Sequence, residues 1–338
     1  MDYKELNLIG SSSPHIRTKV GTSHIMGEVI VALLPALCFA IYNFGWRALG
    51  TTAFSVAGCC LFEYLYRYLM KKDNTVPDMS AAVTGVLIAF VCPVTIPYWI
   101  LLIGDFFAIV VVKQLFGGIG KNFLNPALAA RAFMTSWAGE MSTWVGPQVD
   151  IPMTGAYDAA TYATPMALLH ENNLRGLKEM YSLGDMLVGF IGGSMGEISA
   201  LLLVLGGVYL VTRKIITWYI PASYIGTVAV LTFLFPRGND PMTWMLYNLL
   251  GGGLMLGAFF MATDYVTSPV SHKGQVIFGI GCGLITVFIR YFGSYSEGVC
   301  YAIMVMNLTV WIIDRNVKPS RFGVIKTPKT KKEEGGDK

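Results

Sequence analysis

The stretch DAATYATPM, residues 158–166, sets two threonine hydroxyls, Thr161 and Thr164, among alanines. No Ser-His-Asp arrangement, metal-ligand set or Gly-rich phosphate loop accompanies them. Either threonine could cap a helix opening at PMALLHE, because a side-chain oxygen there accepts an orphan backbone N–H. The stretch lies in the longest polar interval of an otherwise apolar chain, so its hydroxyls call for an explanation.

A second set of reactive groups is embedded in apolar runs: Glu28, Glu63, Asp105, Lys113, Asn125, Arg131, Glu197, Asp264, Arg290, Asn307 and Asp314. Each would cost a few kcal/mol if it faced lipid. Glu63, Arg290 and Asp314 fall near the ends of their runs and read as snorkelling residues. Glu28 and Asp105 read as inward-facing and are the candidates for an ion path, with a Lys or Arg partner as the ordinary expectation.

GKNFLNPALAARAF, residues 120–133, predicts a helix opening at Pro126 after Asn125, where a missing N–H does no harm. Arg131 then serves either as a ligand for a phosphate or carboxylate or as half of an interhelical salt bridge. FMATDYVTSPVSHKGQ, residues 260–275, crowds hydroxyls around Asp264 in the other half of the chain. In DMSAAVTGVLIAF, Asp78 or Ser80 is the expected cap and Thr84-Gly85 permits close helix approach. The runs Gly192-Gly193 and 251–253 read as small-residue helix packing.

The elements that must carry these groups follow from composition. Of 338 residues, 54% are hydrophobic and 14% charged, against about 25% charged in a soluble domain. Such a chain is solvated by lipid. Runs on the order of 20 apolar residues predict an all-α polytopic membrane protein of about ten helices. They lie near 25–44, 48–70, 79–93, 96–116, 123–137, 196–213, 215–235, 242–262, 275–291 and 297–314, the third and fifth being short.

Lys and Arg gather in the N-terminus (1–24), in alternate turns and in the basic tail (315–338), which predicts that both termini are cytoplasmic. The interval 138–195 is then extracytoplasmic, and it divides two five-helix membrane halves, 25–137 and 196–314. An odd number of helices per half would run the second half with inverted topology, the arrangement expected of an inverted repeat. The six cysteines include no Cys-x-x-Cys pair and read mostly as packing residues, with a cluster shared with another subunit as the alternative. The N-terminus reads as lacking a cleavable signal peptide, and the tail has no aromatic-rich basic fold to suggest nucleic acid.

VTGVLIAF, KNFLNPALAARAF, GEISALLLVLGGVYL, FMATDYVTSP and YAIMVMN, in this order, resemble one family. It is that of the D subunit of the Rnf complex and the B subunit of the sodium-pumping NADH:quinone oxidoreductase. The resemblance runs from about Gly27 to Asp314. It implies FMN attached through its phosphate to a threonine, in a motif of Asp, two variable residues, Ser or Thr, a small residue, then Ala-Thr. Here these are Asp158, Thr161, Ala163 and Thr164, with Thr164 as acceptor. Tyr162 stands where the family commonly has glycine.

The resemblance further implies an exposed acceptor loop reached by a flavin transferase outside the cytoplasm. It also implies a noncovalent riboflavin among the helices, and partner Rnf subunits that include a second covalent-flavin subunit. The expected function is a redox-driven ion translocase subunit, not catalytic alone, in a bacterial or archaeal cell membrane. The complex would pass electrons between ferredoxin and NAD while moving sodium or protons. The short chain, without the longer N-terminal extension of the quinone-reductase protein, favours the Rnf member of the family. The alternatives are the quinone-reductase B subunit, or a solute channel or transporter of like architecture, which would need no flavin acceptor.

Overall fold

The computed structural model describes residues 21–148, 151–153, 162–238, 240–293 and 295–318, and every regular element among them is helical. The first group comprises α1 (Thr22–Phe44), α2 (Trp46–Leu69), α3 (Ser80–Val91), α4 (Tyr98–Phe106, continued as a π-helix over Phe107–Gln114) and α5 (Pro126–Met134). Four short helices follow: α6 (Ala138–Met141), α7 (Pro165–His170), α8 (Leu174–Met180) and α9 (Leu183–Val188). The last group is α10 (Ala200–Thr212), α11 (Tyr219–Leu234), α12 (Pro241–Leu250), α13 (Leu254–Leu256, continued as a π-helix over Gly257–Met261), α14 (His272–Phe292) and α15 (Val299–Asn316).

Every segment expected to be a membrane helix contains one. Among the described residues, α1, α2 and α14 are long and apolar enough to cross a membrane alone, and α12 with α13 makes a fourth as a pair bent by 61°. Helices thus occur in all ten expected segments, while three or four of them, rather than ten, have the length and composition of a span among the described residues. α3 and α5 have 12 and 9 residues. α14 leaves Ile277, Leu284, Phe288 and Phe292 exposed, and α2 leaves Leu61, Leu65 and Tyr68 exposed. Apolar faces this continuous would associate in water. The chain is a multi-pass membrane protein.

Packing within the two groups follows one scheme. α2 lies against α3 and α4, α1 against α3, and α4 against α5. Likewise α11 lies against α12 and α14, α10 against α13, and α14 against α15. The groups meet like to like, α1 on α10 and α5 on α15. Glycines set the closest approaches: a Cβ at Gly85 would stand 2.7 Å from the Val56 Cα of α2. Each group also seats an arginine where its third helix stops. Arg47 donates to the carbonyls of Val94 (3.0 Å) and Thr95 (3.2 Å) beyond α3.

Arg290 is buried and donates to the carbonyls of Asn248 (2.5 Å) and Gly251 (3.2 Å) where α12 ends. It does not snorkel. Glycines 251–253 break a helix here instead of packing one, with Gly252 at φ 71° and Gly253 at φ 63°. Orphan carbonyls at the break need a donor, and the guanidinium supplies it. Gly252→Ala is expected to cost about 1–2 kcal/mol from the left-handed backbone alone, and more because a Cβ there runs into the Arg290 guanidinium. A fall in the thermal midpoint of the detergent-solubilised chain would report it.

The described residues of the interval 138–195 do not form an exposed loop. Met166, Leu169, Leu177, Tyr181 and Met186 form a core with Phe44, Trp244 and Tyr247 over one end of the bundle. Ser182 and Asp185 close α9 with a reciprocal capping box.

Candidate functional site

Two sites gather the chemistry. The first is built around Thr164, which is the N-cap of α7: Oγ1 accepts from the Ala167 N–H at 3.2 Å, with Pro165 at the first helical position. Extended backbone at Thr164, imposed by the following proline, is what a cap requires. The residue is only 8% exposed. This corrects the expected exposed acceptor: the apolar side of α7 pulls its own first turn into the end core. Asp158 and Thr161 lie outside the described residues.

Ala163 and Tyr162 hold the chain just before the cap. The Tyr181 hydroxyl donates to the Ala163 carbonyl at 2.8 Å, and the Tyr162 N–H donates to the Trp144 carbonyl at 2.9 Å. Burial pushes the Tyr181 phenol well above the usual tyrosine range, so it stays a donor. Tyr162 meets Tyr181 edge to face, ring centroids 6.1 Å apart. Its ring also covers Gly192, where a Cβ would stand 2.7 Å from it.

The second site is a cavity of about 320 Å³ where the two helix groups meet. Met26 and Val29 of α1, Leu87 of α3 and Phe260 of α13 make apolar walls, and Asn122, Asn125 and Thr263 supply polar groups. Asn125 caps α5 as expected, its Oδ1 accepting from Ala127 at 3.0 Å, and its Nδ2 donates to the Met261 carbonyl at 3.3 Å. Asn307, the corresponding asparagine of the other half, is close by: with its amide turned to suit its neighbours, its oxygen accepts from the Asn125 N–H at 3.3 Å.

Lys113 and Ser80 reach the same cavity from a buried polar row. Lys113 Nζ lies 2.7 Å from Glu63 Oε2 and donates to Ser80 Oγ at 2.7 Å. Gln114 (3.0 Å) and Thr75 (2.5 Å) donate to Glu63 Oε1. Glu63 is 1% exposed, so it is a buried ion-pair partner and not a snorkelling residue. The wider π turns of α4 bring consecutive Lys113 and Gln114 to one carboxylate. Ser80 belongs to this row rather than capping α3, whose cap position is Met79.

Along α2 the row continues. Ser55 (2.7 Å) and Cys59 (3.4 Å) donate to Asp105 Oδ1. Asp105 is 0% exposed, and its Oδ2, set against Gly58, has no hydrogen-bond partner. Ser55, Cys59 and Glu63 recur every fourth residue, the spacing of one helix face. That polar stripe within α2 is the signal available in the sequence. No comparable pattern points to Tyr181.

The remaining candidates are committed elsewhere. Arg131 of α5 is ion-paired with Glu297, ahead of α15, and so serves as an interhelical bridge to a protein carboxylate. Glu28 accepts from Tyr209 of α10 and from Arg213 (2.5 Å) just after that helix, the cationic partner expected for it. The cysteines are free, and among the described residues no cluster could hold a metal ion.

A family model described as the NQR2, RnfD, RnfE family matches residues 9–323. The D subunit of the Na(+)-translocating ferredoxin:NAD(+) oxidoreductase complex of Acetobacterium woodii is 49% identical, over 97% of this chain and 99% of its own. The D subunit of the proton-translocating ferredoxin:NAD(+) oxidoreductase complex of Clostridium ljungdahlii is 41% identical, over 93% and 95%. The D subunit of the ion-translocating oxidoreductase complex of Methanosarcina acetivorans is 33% identical, over 93% and 96%. With helix placement, motif order and full-length similarity in agreement, the chain belongs to the NQR2, RnfD, RnfE family, among its D subunits.

Proposed function

We propose that this chain is the membrane flavoprotein subunit of an ion-translocating ferredoxin:NAD oxidoreductase complex, carrying FMN on Thr164. The observation that carries the reading is full-length similarity to D subunits so named, joined to a threonine set in Asp158-x-x-Thr161-x-Ala163-Thr164. The chemistry of the residue fits the group. An alcohol can form the phosphoester, and a capping oxygen that only accepts keeps a lone pair for the Ala167 N–H after esterification. Bound flavin supplies one- and two-electron chemistry.

A noncovalent riboflavin fits the cavity between the halves. At about 320 Å³ it lies in the usual range for small-molecule sites, roughly 300–1,000 Å³. Apolar walls would clasp a planar ring, and Asn122, Asn125 and Thr263 would meet its polar edge. The like-to-like packing of α1 on α10 and α5 on α15 supports an inverted repeat about that cavity. The charge bias supports cytoplasmic termini and an extracytoplasmic Thr164. The other Rnf subunits, a second covalent-flavin subunit and the flavin transferase are its partners in this reading.

Of the two ion-path candidates, Glu28 is held by Arg213 and Asp105 has the freer geometry. A buried carboxyl with one unpartnered oxygen is costly unless its charge is neutralised, so Asp105 gains or loses a proton or cation as the field around it changes. Asp105→Asn is expected to leave ferredoxin-driven NAD reduction near the parent rate in proteoliposomes while ion uptake per electron falls to near zero. Unchanged coupling would remove Asp105 from the path. A complex purified without this chain should lose both activities.

A further inference from the structure

The acceptor hydroxyl assigned above is buried, and the residues that bury it are specific. We propose that Tyr162 and Tyr181 are positioning residues that latch the acceptor segment onto the end core, so that flavin attachment proceeds through an opened conformation. The inference rests on Thr164 being the acceptor. In the attachment step Thr164 Oγ1 attacks the riboflavin-bearing phosphorus of flavin adenine dinucleotide. A new P–O bond forms, the pyrophosphate P–O bond breaks, AMP leaves, and the hydroxyl proton passes to a base of the transferase. No redox change occurs.

That attack requires the dinucleotide phosphorus to approach Oγ1 along a line open to the transferase. Thr164, 8% exposed and turned onto the Ala167 N–H, offers no such line. The latch has three parts. The Tyr181 hydroxyl holds the Ala163 carbonyl, the residue immediately before the acceptor. Tyr181 is itself fixed, its carbonyl accepting from the Tyr247 hydroxyl of α12 at 2.8 Å. The Tyr162 ring lies over Gly192 and Gly146, each without a Cβ to push it away, and braces Tyr181 edge to face. Glycine at position 162 would leave those surfaces uncovered and Tyr181 as the one tyrosine side chain still holding the segment.

Opening in advance of transferase binding has a kinetic signature. When the competent state is a minor fraction of the whole, the apparent KM is raised by the inverse of that fraction while kcat is untouched. The test uses the full chain purified in detergent from cells lacking the transferase, then given transferase and flavin adenine dinucleotide. Covalent label is followed by in-gel fluorescence. Tyr181→Phe keeps the ring and removes the hydroxyl; it should lower the KM for this chain about fivefold, the effect of losing one hydrogen bond made only in the docked state. Tyr162→Gly should lower it about tenfold, since the ring's contacts with Tyr181, Gly192 and Gly146 all go.

kcat and the final one label per chain should stay as in the parent. Trp244→Phe, which removes a hydrogen bond to Tyr291 in the same core, should label with the parent KM. Equal KM values in the parent and both latch variants would overturn the proposal, showing that the docked segment is the transferase's substrate. A matching fall in Trp244→Phe would overturn it in favour of general loosening. Label absent from every chain, with transferase active on a control substrate, would instead remove the acceptor reading on which the latch depends.

Discussion

Thr164→Ala should abolish the fluorescent flavin band of the chain produced with its transferase, and Thr161→Ala should leave it in place. Alanine alone would not separate two roles, because it also removes the cap on α7, at a cost of about 1 kcal/mol. Two further substitutions do. Asparagine caps a helix as well as threonine but offers no alcohol, so Thr164→Asn should keep the parent thermal midpoint and carry no flavin. Serine offers both, so Thr164→Ser should keep the midpoint and the band. Fluorescence that persists in Thr164→Asn would place the attachment elsewhere. A band lost only along with stability would make Thr164 a structural cap.

Glu63→Ala should be among the most damaging single changes in the membrane core. It strands the Lys113 ammonium, the Gln114 amide and the Thr75 hydroxyl, all of which donate to that one carboxylate. Removing one partner of a buried pair costs about 3–5 kcal/mol, because the other charge stays in a poor solvent. Lys113→Ala should cost less, since Gln114 and Thr75 still serve the carboxylate. Glu63→Leu combined with Lys113→Met should recover most of the loss, because no charge is left unpaired. Thermal midpoints in one detergent would rank the four proteins. A loss below about 1 kcal/mol in Glu63→Ala, the size expected of a solvated pair, would mean that water from the adjoining cavity hydrates Lys113.

The residues whose roles differ from their sequence expectation share a cause. Glu63 and Arg290 resemble snorkelling side chains because each lies near the end of its run. Their partners are far along the chain: Lys113 is 50 residues from Glu63, and the Asn248 carbonyl is 42 residues from Arg290. Glycines 251–253 resemble packing residues for the same reason. Whether a glycine triplet packs or breaks a helix depends on a donor for the freed carbonyls, and that donor comes from α14. Arg131 stands open between a ligand and a salt bridge until Glu297, 166 residues on, decides it.

What the sequence determined by itself was local. Apolar runs of membrane length located the helices, since a lipid-solvated backbone must satisfy its hydrogen bonds within the segment. Asn125-Pro126 marked the start of α5, because a cap and a proline act within one turn. The order of short motifs indicated the family. The tertiary structure decided which polar groups meet, that α12 and α13 form a pair bent by 61°, and that Thr164 is buried at the start of α7. Those outcomes depend on contacts between residues distant in the chain, where burial sets the worth of each hydrogen bond and charge, and no local spacing encodes burial.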